Sequence, residues 1–272
     1  MDAFLDFFEN MPSWQKLAWI FICLGISWVL EGAAPLAILN YKKWRHAGVN
    51  LVFLGTSLLI NLLFTAATVG VFLWAKANNF GLLYLMELPV WVELLLAVML
   101  LDLVAQYFAH YLLHRVKWMW KFHLVHHSDT KVDATTGPRH HPGDYVVREV
   151  FSLAAVLVFG IPLAYYIFYR IATIFFTYLT HANVTVPVWL DKPLSLVFIT
   201  PNMHKFHHHF ERPWTDTNFG NIFSLWDRMF GTLVYDDPSK VRYGVDVLRD
   251  ELDENVGYQF RVPFDGSVKT DY

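Results

Sequence analysis

Apolar letters run in long blocks along this chain, with the polar ones gathered between them. Residues 14–39 are almost wholly apolar, as are 49–74 and the stretch from Pro89 to His114. Each is long enough to cross a bilayer, which takes about 20 helical residues. Proline suits the first turn of a helix, so Pro89 marks the start of the third. Residues 146–180 are apolar again but broken by Gly160-Ile161-Pro162, and two segments turning there are expected instead of one long helix. The pattern predicts an all-α integral membrane helical bundle, with about four transmembrane or hairpin-forming segments and a cytosolic histidine-rich cap. A single domain is expected over 1–272. Its parts are three transmembrane helices in 14–114, a histidine segment in 115–144, a hairpin in 145–181, and a cap and tail in 182–272.

The connecting segments set an orientation. Lys42, Lys43 and Arg45 lie in the loop after the first block, and Arg115, Lys117 and Lys121 follow the third. Short cation-rich loops stay in the cytosol, which puts the acidic N-terminus and the 75–88 loop, with only Lys76, outside. His110 then lies about 32 Å past Pro89 at 1.5 Å per residue, at the cytosolic boundary. Glu31, inside the first block, is expected near the interface or facing other helices. The N-terminus lacks a basic region and does not read as a cleavable signal peptide.

Composition narrows the chemistry. Hydrophobic residues make up 55% and charged residues 17%, with a net charge of −3, so no nucleic-acid surface is indicated. Cys23 is the single cysteine, which excludes disulfides and thiolate metal sites. A metal here must be held by imidazole, carboxylate or carbonyl.

Imidazole is plentiful. His110 and His114 form H-x-x-x-H, and His123, His126 and His127 form H-x-x-H-H. His141 follows, then His181 with Asn183, then a second H-x-x-H-H at His204, His207 and His208. Residues four apart on a helix differ by about 40°, and three apart by about 60° the other way, so each box presents one face. The clusters fall on one side of the membrane and are expected to build one metal centre from several segments. They exceed the needs of one structural zinc, which takes four ligands, and suit two metals with four or five nitrogens each. Imidazole alone does not choose among iron, copper, zinc and nickel. No Glu-x-x-His or His-Glu-x-x-His pattern occurs, so a carboxylate-bridged di-iron bundle and a zinc protease are both disfavoured. A redox pair activating O2 beside a lipid groove is the favoured reading. Rival readings are a di-zinc hydrolase and a bis-histidine metal or haem carrier, the latter needing histidines at two membrane depths.

Several further residues carry expectations. Asp102 either orients His110 or His114 or packs helices, and Asn183 either makes a water-mediated metal contact or caps a helix; both are candidates for the catalytic machinery. His140 and His209 read as neighbours of ligands, and His46 as interfacial. Asp129, Asp133 and Arg139 are expected to brace the boxes. Asp227 and Arg228 read as structural, with Trp226 and Phe230 packing the cap. Trp74, Trp91, Trp118 and Trp120 read as an interfacial belt.

The boxes, together with Thr136-Gly-Pro-Arg-His-His141-Pro142, His181-Ala-Asn183, Asn218-Phe-Gly220 and Trp226-Asp-Arg-Met-Phe-Gly-Thr232, resemble the fatty acid hydroxylase/sterol desaturase superfamily. The resemblance covers roughly 95–235. Phe219 stands where tyrosine is common, a mild departure. The resemblance implies a membrane enzyme with two iron ions, hydroxylating or desaturating a lipid with O2. It carries metal-ligand roles to His110, His114, His123, His126, His127, His141, His181, His204, His207 and His208. The sequence shows no haem, flavin or Fe–S motif, so an external electron donor is expected, cytochrome b5-like or a ferredoxin with its reductase. The compact length points to a bacterial inner membrane over an endoplasmic reticulum.

Overall fold

The computed structural model describes residues 2–269, and among these there is no β-strand, only isolated bridges of Pro35 with Val184 and Phe198 with Phe223. A short helix α1 (Asp2–Glu9) lays Phe4 and Phe8 against Phe168. Three helices are long and apolar enough to cross a membrane: α2 (Ser13–Ala33), α3 (Lys43–Asn78) and α4 (Val90–Arg115). They expose Val29, Leu62, Leu63 and Leu73, as a lipid-facing surface requires.

Boundaries moved from the expected positions for local reasons. Pro35 disfavours the helical region for the residue before it, and Ala34 sits at φ −145°, so α2 stops well short of Leu39. Helix α3 begins at Lys43, which brings Arg45 and His46 into its first turn. His46 is therefore not interfacial. It is fully buried, with Nε2 3.3 Å from Asp129 Oδ2. Helix α4 carries a π-helical stretch over Asp102–Phe108.

Helix α5 (Lys117–His127) leads through a short loop to α6 (Pro142–Phe159) and α7 (Leu163–His181). The turn between α6 and α7 falls where the sequence breaks. Gly160 closes α6 in the left-handed region at φ 68°, and Gly81 at φ 122° packs directly on it. A Cβ on Gly81 would stand 2.2 Å from the Gly160 nitrogen, so neither position accepts a side chain. Helix α6 packs along α3, and α7 packs against α1, α2 and α4. The rest forms a cap holding α8 (Val188–Leu194), α9 (Pro201–His207), α10 (Leu225–Phe230) and α11 (Val256–Arg261).

Polar clasps fix the cap on the bundle, because lipid gives helices little apolar drive to associate. Glu31 of α2 accepts from the Ala134 amide at 2.7 Å, the Asn183 amide at 3.0 Å and Lys43 Nζ at 3.0 Å. Arg139 is fully buried and donates to the Val125 carbonyl, Asn50 and Ser128, each at 3.0 Å. Asp129 accepts from Thr136 at 2.7 Å and lies 3.9 Å from Arg139. Removing Asp129 would leave Arg139 buried without its paired carboxylate, a loss of about 3–5 kcal/mol. Trp74, Trp91 and Trp118 are exposed, as a belt should be, but Trp120 is buried. Its ring packs 4.8 Å from His114 and 5.4 Å from His127, a wall of the histidine cluster.

Candidate metal centre

The histidines converge into two groups. His110, His114, His123, His127 and His207 form one, and His126, His181, His204 and His208 the other; donor nitrogens within each group lie within 4.8 Å of one another. Two imidazoles on opposite sides of a shared ion span about 4.2 Å, from bonds of about 2.1 Å. Helical spacing explains the division. In the 123–127 box, the pair four apart joins the first group and His126 the second. In the 204–208 box, the pair four apart joins the second group and His207 the first. Each of these boxes thus grips one site with its near-aligned pair and reaches the other with its odd member.

Backbone and carboxylate oxygens set the tautomers. His110 Nδ1 lies 2.9 Å from the Phe219 carbonyl, His207 Nδ1 2.7 Å from the Thr217 carbonyl, and His181 Nδ1 2.7 Å from the Thr177 carbonyl. A carbonyl only accepts, so each Nδ1 carries the proton and each Nε2 keeps its lone pair. His123 Nδ1 donates to Asp144 at 2.6 Å, and His114 Nδ1 to Asp216 at 3.2 Å. The Nε2 atoms of His110 and His123 nevertheless approach to 3.0 Å. Two facing lone pairs at that distance repel unless a cation lies between them. His114 Nε2, His207 Nε2 and both ring nitrogens of His127 and His208 are buried without any hydrogen-bond partner. The donor set fits metal ions.

Electrostatics keeps the donors neutral. Burial lowers His123 to about 4 despite the opposing pull of Asp144. Burial, followed by the neighbouring imidazoles, holds His126, His127, His204, His207 and His208 well below the usual histidine range. Neutral imidazole is the form that binds a metal.

Nine of the ten expected ligands are in these groups; His141 is not. Its Nδ1 accepts from the Gly143 amide at 3.0 Å, capping α6, and its ring rests among Phe122, Phe260 and Phe264. Its neighbour His140 lies closer to the centre. It stacks 4.5 Å from His126, with Nδ1 3.2 Å from Asp144. Asp102 does not orient a histidine. It accepts from the Ile222 amide at 3.2 Å, the Phe223 amide at 3.1 Å and Trp226 Nε1 at 3.0 Å. The π-helical stretch widens the turns after Asp102, so an even 3.6-residue period misplaces it relative to His110. Asn183 directs its side chain away from both groups' donor sets: it pairs with both backbone groups of Ala37, at 3.1 and 2.8 Å. Asp227, as expected, is structural, accepting from the Phe219 amide at 2.8 Å and the Gly220 amide at 3.0 Å. It thereby holds the loop whose carbonyl orients His110.

Sequence reasoning missed Asp144, Asp216 and the three carbonyl acceptors. Only Asp144 left a signal, an acidic residue in the first turn of the helix that follows the boxes. The structure also shows a cavity of about 160 Å³ with His110, His126, His181 and His204 in its wall. The centre therefore faces a cavity between the helices.

Comparison with known proteins agrees with this geometry. The sequence profile of the fatty acid hydroxylase family matches residues 94–232. Ornithine lipid hydroxylase OlsE of Rhizobium tropici is 32% identical over 126 residues, covering 46% of this chain and 37% of the relative. Human alkylglycerol monooxygenase is 26% identical over 253 residues, covering 87% of this chain and 51% of the relative. The chain thus spans about half the length of these relatives, or less. No solved structure matches. The profile match covers just over half of the chain and takes in all nine histidines of the two groups, and the protein is a member of the fatty acid hydroxylase family.

Proposed function

We propose that this protein is a membrane-bound di-iron oxygenase that hydroxylates a C–H bond of a lipid. The reaction takes R–H, O2, two electrons and two protons to R–OH and water, with the electrons coming from a separate donor protein. The observation that carries the reading is the paired histidine group, five and four imidazoles, opening on a cavity between apolar helices. The names of the relatives, an ornithine lipid hydroxylase and an alkylglycerol monooxygenase, support it.

Iron ions held there would supply the redox chemistry that O2 activation needs. The chain's own contribution is positional. Asp144, Asp216 and the carbonyls of Phe219, Thr217 and Thr177 hold five rings with Nε2 turned inward. Such partners fix ring orientation and raise ligand basicity. Fully buried Phe219 and Leu113 help to keep bulk water from the centre. His110, His126, His181 and His204, in the cavity wall, mark where the reacting carbon is presented.

The cation-bearing ends of α3 and α4 support a cytosolic placement of the centre, and we assign the protein to a bacterial inner membrane. The functional test is lipid mass spectrometry on cells grown under labelled O2, comparing this protein with His126→Ala. One labelled oxygen gained by a lipid, lost in the variant, is the expected result. Loss of two hydrogens without label would make it a desaturase, and full activity with zinc and no iron would make it a hydrolase.

A further inference from the structure

Beyond the histidines, the cavity wall carries a polar set that the metal centre does not use. Arg170 of α7 donates to Glu149 at 2.6 Å, to the Asn61 side-chain Oδ1 at 3.1 Å and to the Tyr145 oxygen at 2.8 Å. Asn61 of α3 also donates from its amide nitrogen to the Tyr145 oxygen. Nearby, Arg148 donates to Asp144 at 2.8 Å and to Gln106 at 3.1 Å. Asn61, Gln106, Tyr145, Arg148, Glu149 and Arg170 all line the cavity. Charged groups between membrane helices are costly and mark functional sites.

The set is polar yet electrically balanced. Arg170 is matched by Glu149, and Arg148 by Asp144. An anionic ligand would meet no spare cation among them and would have to face Glu149. The hydrogen-bonding capacity is not balanced. The Tyr145 oxygen accepts from Arg170 and Asn61, which leaves its own O–H free to donate. Ser57 Oγ and the Tyr178 hydroxyl are buried in side chains of the same wall, without a hydrogen-bond partner. Each such group costs about 1–3 kcal/mol while it stays unpaired. Position matters too: Tyr145 directly follows Asp144, whose carboxylate holds His123.

We infer that this cavity binds the uncharged polar group of a lipid, a hydroxyl, ether, ester or amide, through Tyr145, Asn61, Ser57 and Tyr178. The lipid is then placed by its polar end, and the attacked carbon is counted from that end and not from the terminal methyl. The inference rests on the proposed function for the identity of the reaction, though not for the binding itself.

The test is ligand binding by the full-length, metal-loaded protein, read as thermal stabilisation with 1-hexadecanol, hexadecane or palmitate. Hexadecanol should bind at least tenfold more tightly than hexadecane and no more weakly than palmitate. Ser57→Ala and Tyr178→Phe remove hydroxyls that bond nothing in the protein. Each should leave the ligand-free protein as stable as before, or more so, while cutting the preference for hexadecanol about fivefold. A merely structural hydroxyl would not separate those two readings. Equal binding of hexadecanol and hexadecane, tighter binding of palmitate, or an unchanged preference in both variants would overturn the inference. Because no turnover is involved, a preference without oxygen incorporation sinks the proposed function alone, and incorporation without preference sinks this inference alone.

Discussion

Replacing Asp144 should loosen one metal and leave the other in place. The Asp144 carboxylate is fully buried and takes His123 Nδ1 at 2.6 Å, Arg148 Nε at 2.8 Å and His140 Nδ1 at 3.2 Å. Its link to a proposed ligand runs through His123, which belongs to the five-imidazole group and not to the four-imidazole one. Partners of this kind are worth about 10–100-fold in metal affinity, or ~1.4–2.7 kcal/mol. Asp144→Ala would also leave Arg148 with Gln106 alone, a stability loss of about 3 kcal/mol. Asp144→Asn keeps the volume and one acceptor, and should lie between the two. The assay is metal per chain by mass spectrometry after equilibration over a chelator series, with melting temperature followed in parallel. The parent protein should release its ions in two steps. In Asp144→Ala the step belonging to the five-imidazole group should move to ten- to hundredfold lower chelator, and the other should hold. Two unmoved steps, or two steps moving together, would refute the reasoning.

Other substitutions probe other links. His141→Gln should keep the full metal complement while losing about 1 kcal/mol of stability, because it deletes a helix cap and not a ligand; reduced metal content would contradict this. Asp102→Asn should lower the melting point by the equivalent of about 2 kcal/mol or more, since its new amide hydrogens meet two backbone amides and an indole that are all donors. Acid should destabilise the metal-free protein. His123 falls to about 4 in the fold, below its ordinary 6.5, so the unfolded chain binds the proton first as pH drops. The stability of the neutral form is full above pH 6.5 and is lost between there and about 4; His126, His127, His204, His207 and His208 act in the same direction. Denaturant midpoints of metal-free protein at pH 7 and 5 check it, and a higher midpoint at pH 5 would reverse the sign.

The histidine boxes were legible because their information is local: spacing along one helix decides which rings share a face. The apolar blocks were legible for the same reason, through length alone. The expectations that failed were decided across the chain. His141 sits outside both histidine groups, among aromatic neighbours near residue 260. His46 was drawn inward by Asp129, far along the sequence. Asp102 was misplaced by a π-helical stretch that no residue pattern announces. Trp120 looks like any interfacial tryptophan until α4 and α5 fold together and close it over His114 and His127.

The crossed allotment of the two H-x-x-H-H boxes makes α5 and α9 a pair of rulers. Adjacent residues serve opposite sites, with ring centres 5.5 Å apart for His126 and His127 and 5.3 Å apart for His207 and His208. Among the described residues, neither the five-histidine group nor the four-histidine group includes a carboxylate. The separation of the two groups is thus written into the pitch of two helices. A rotation of either helix that tightened one group would slacken the other, so such a twist cannot serve both at once.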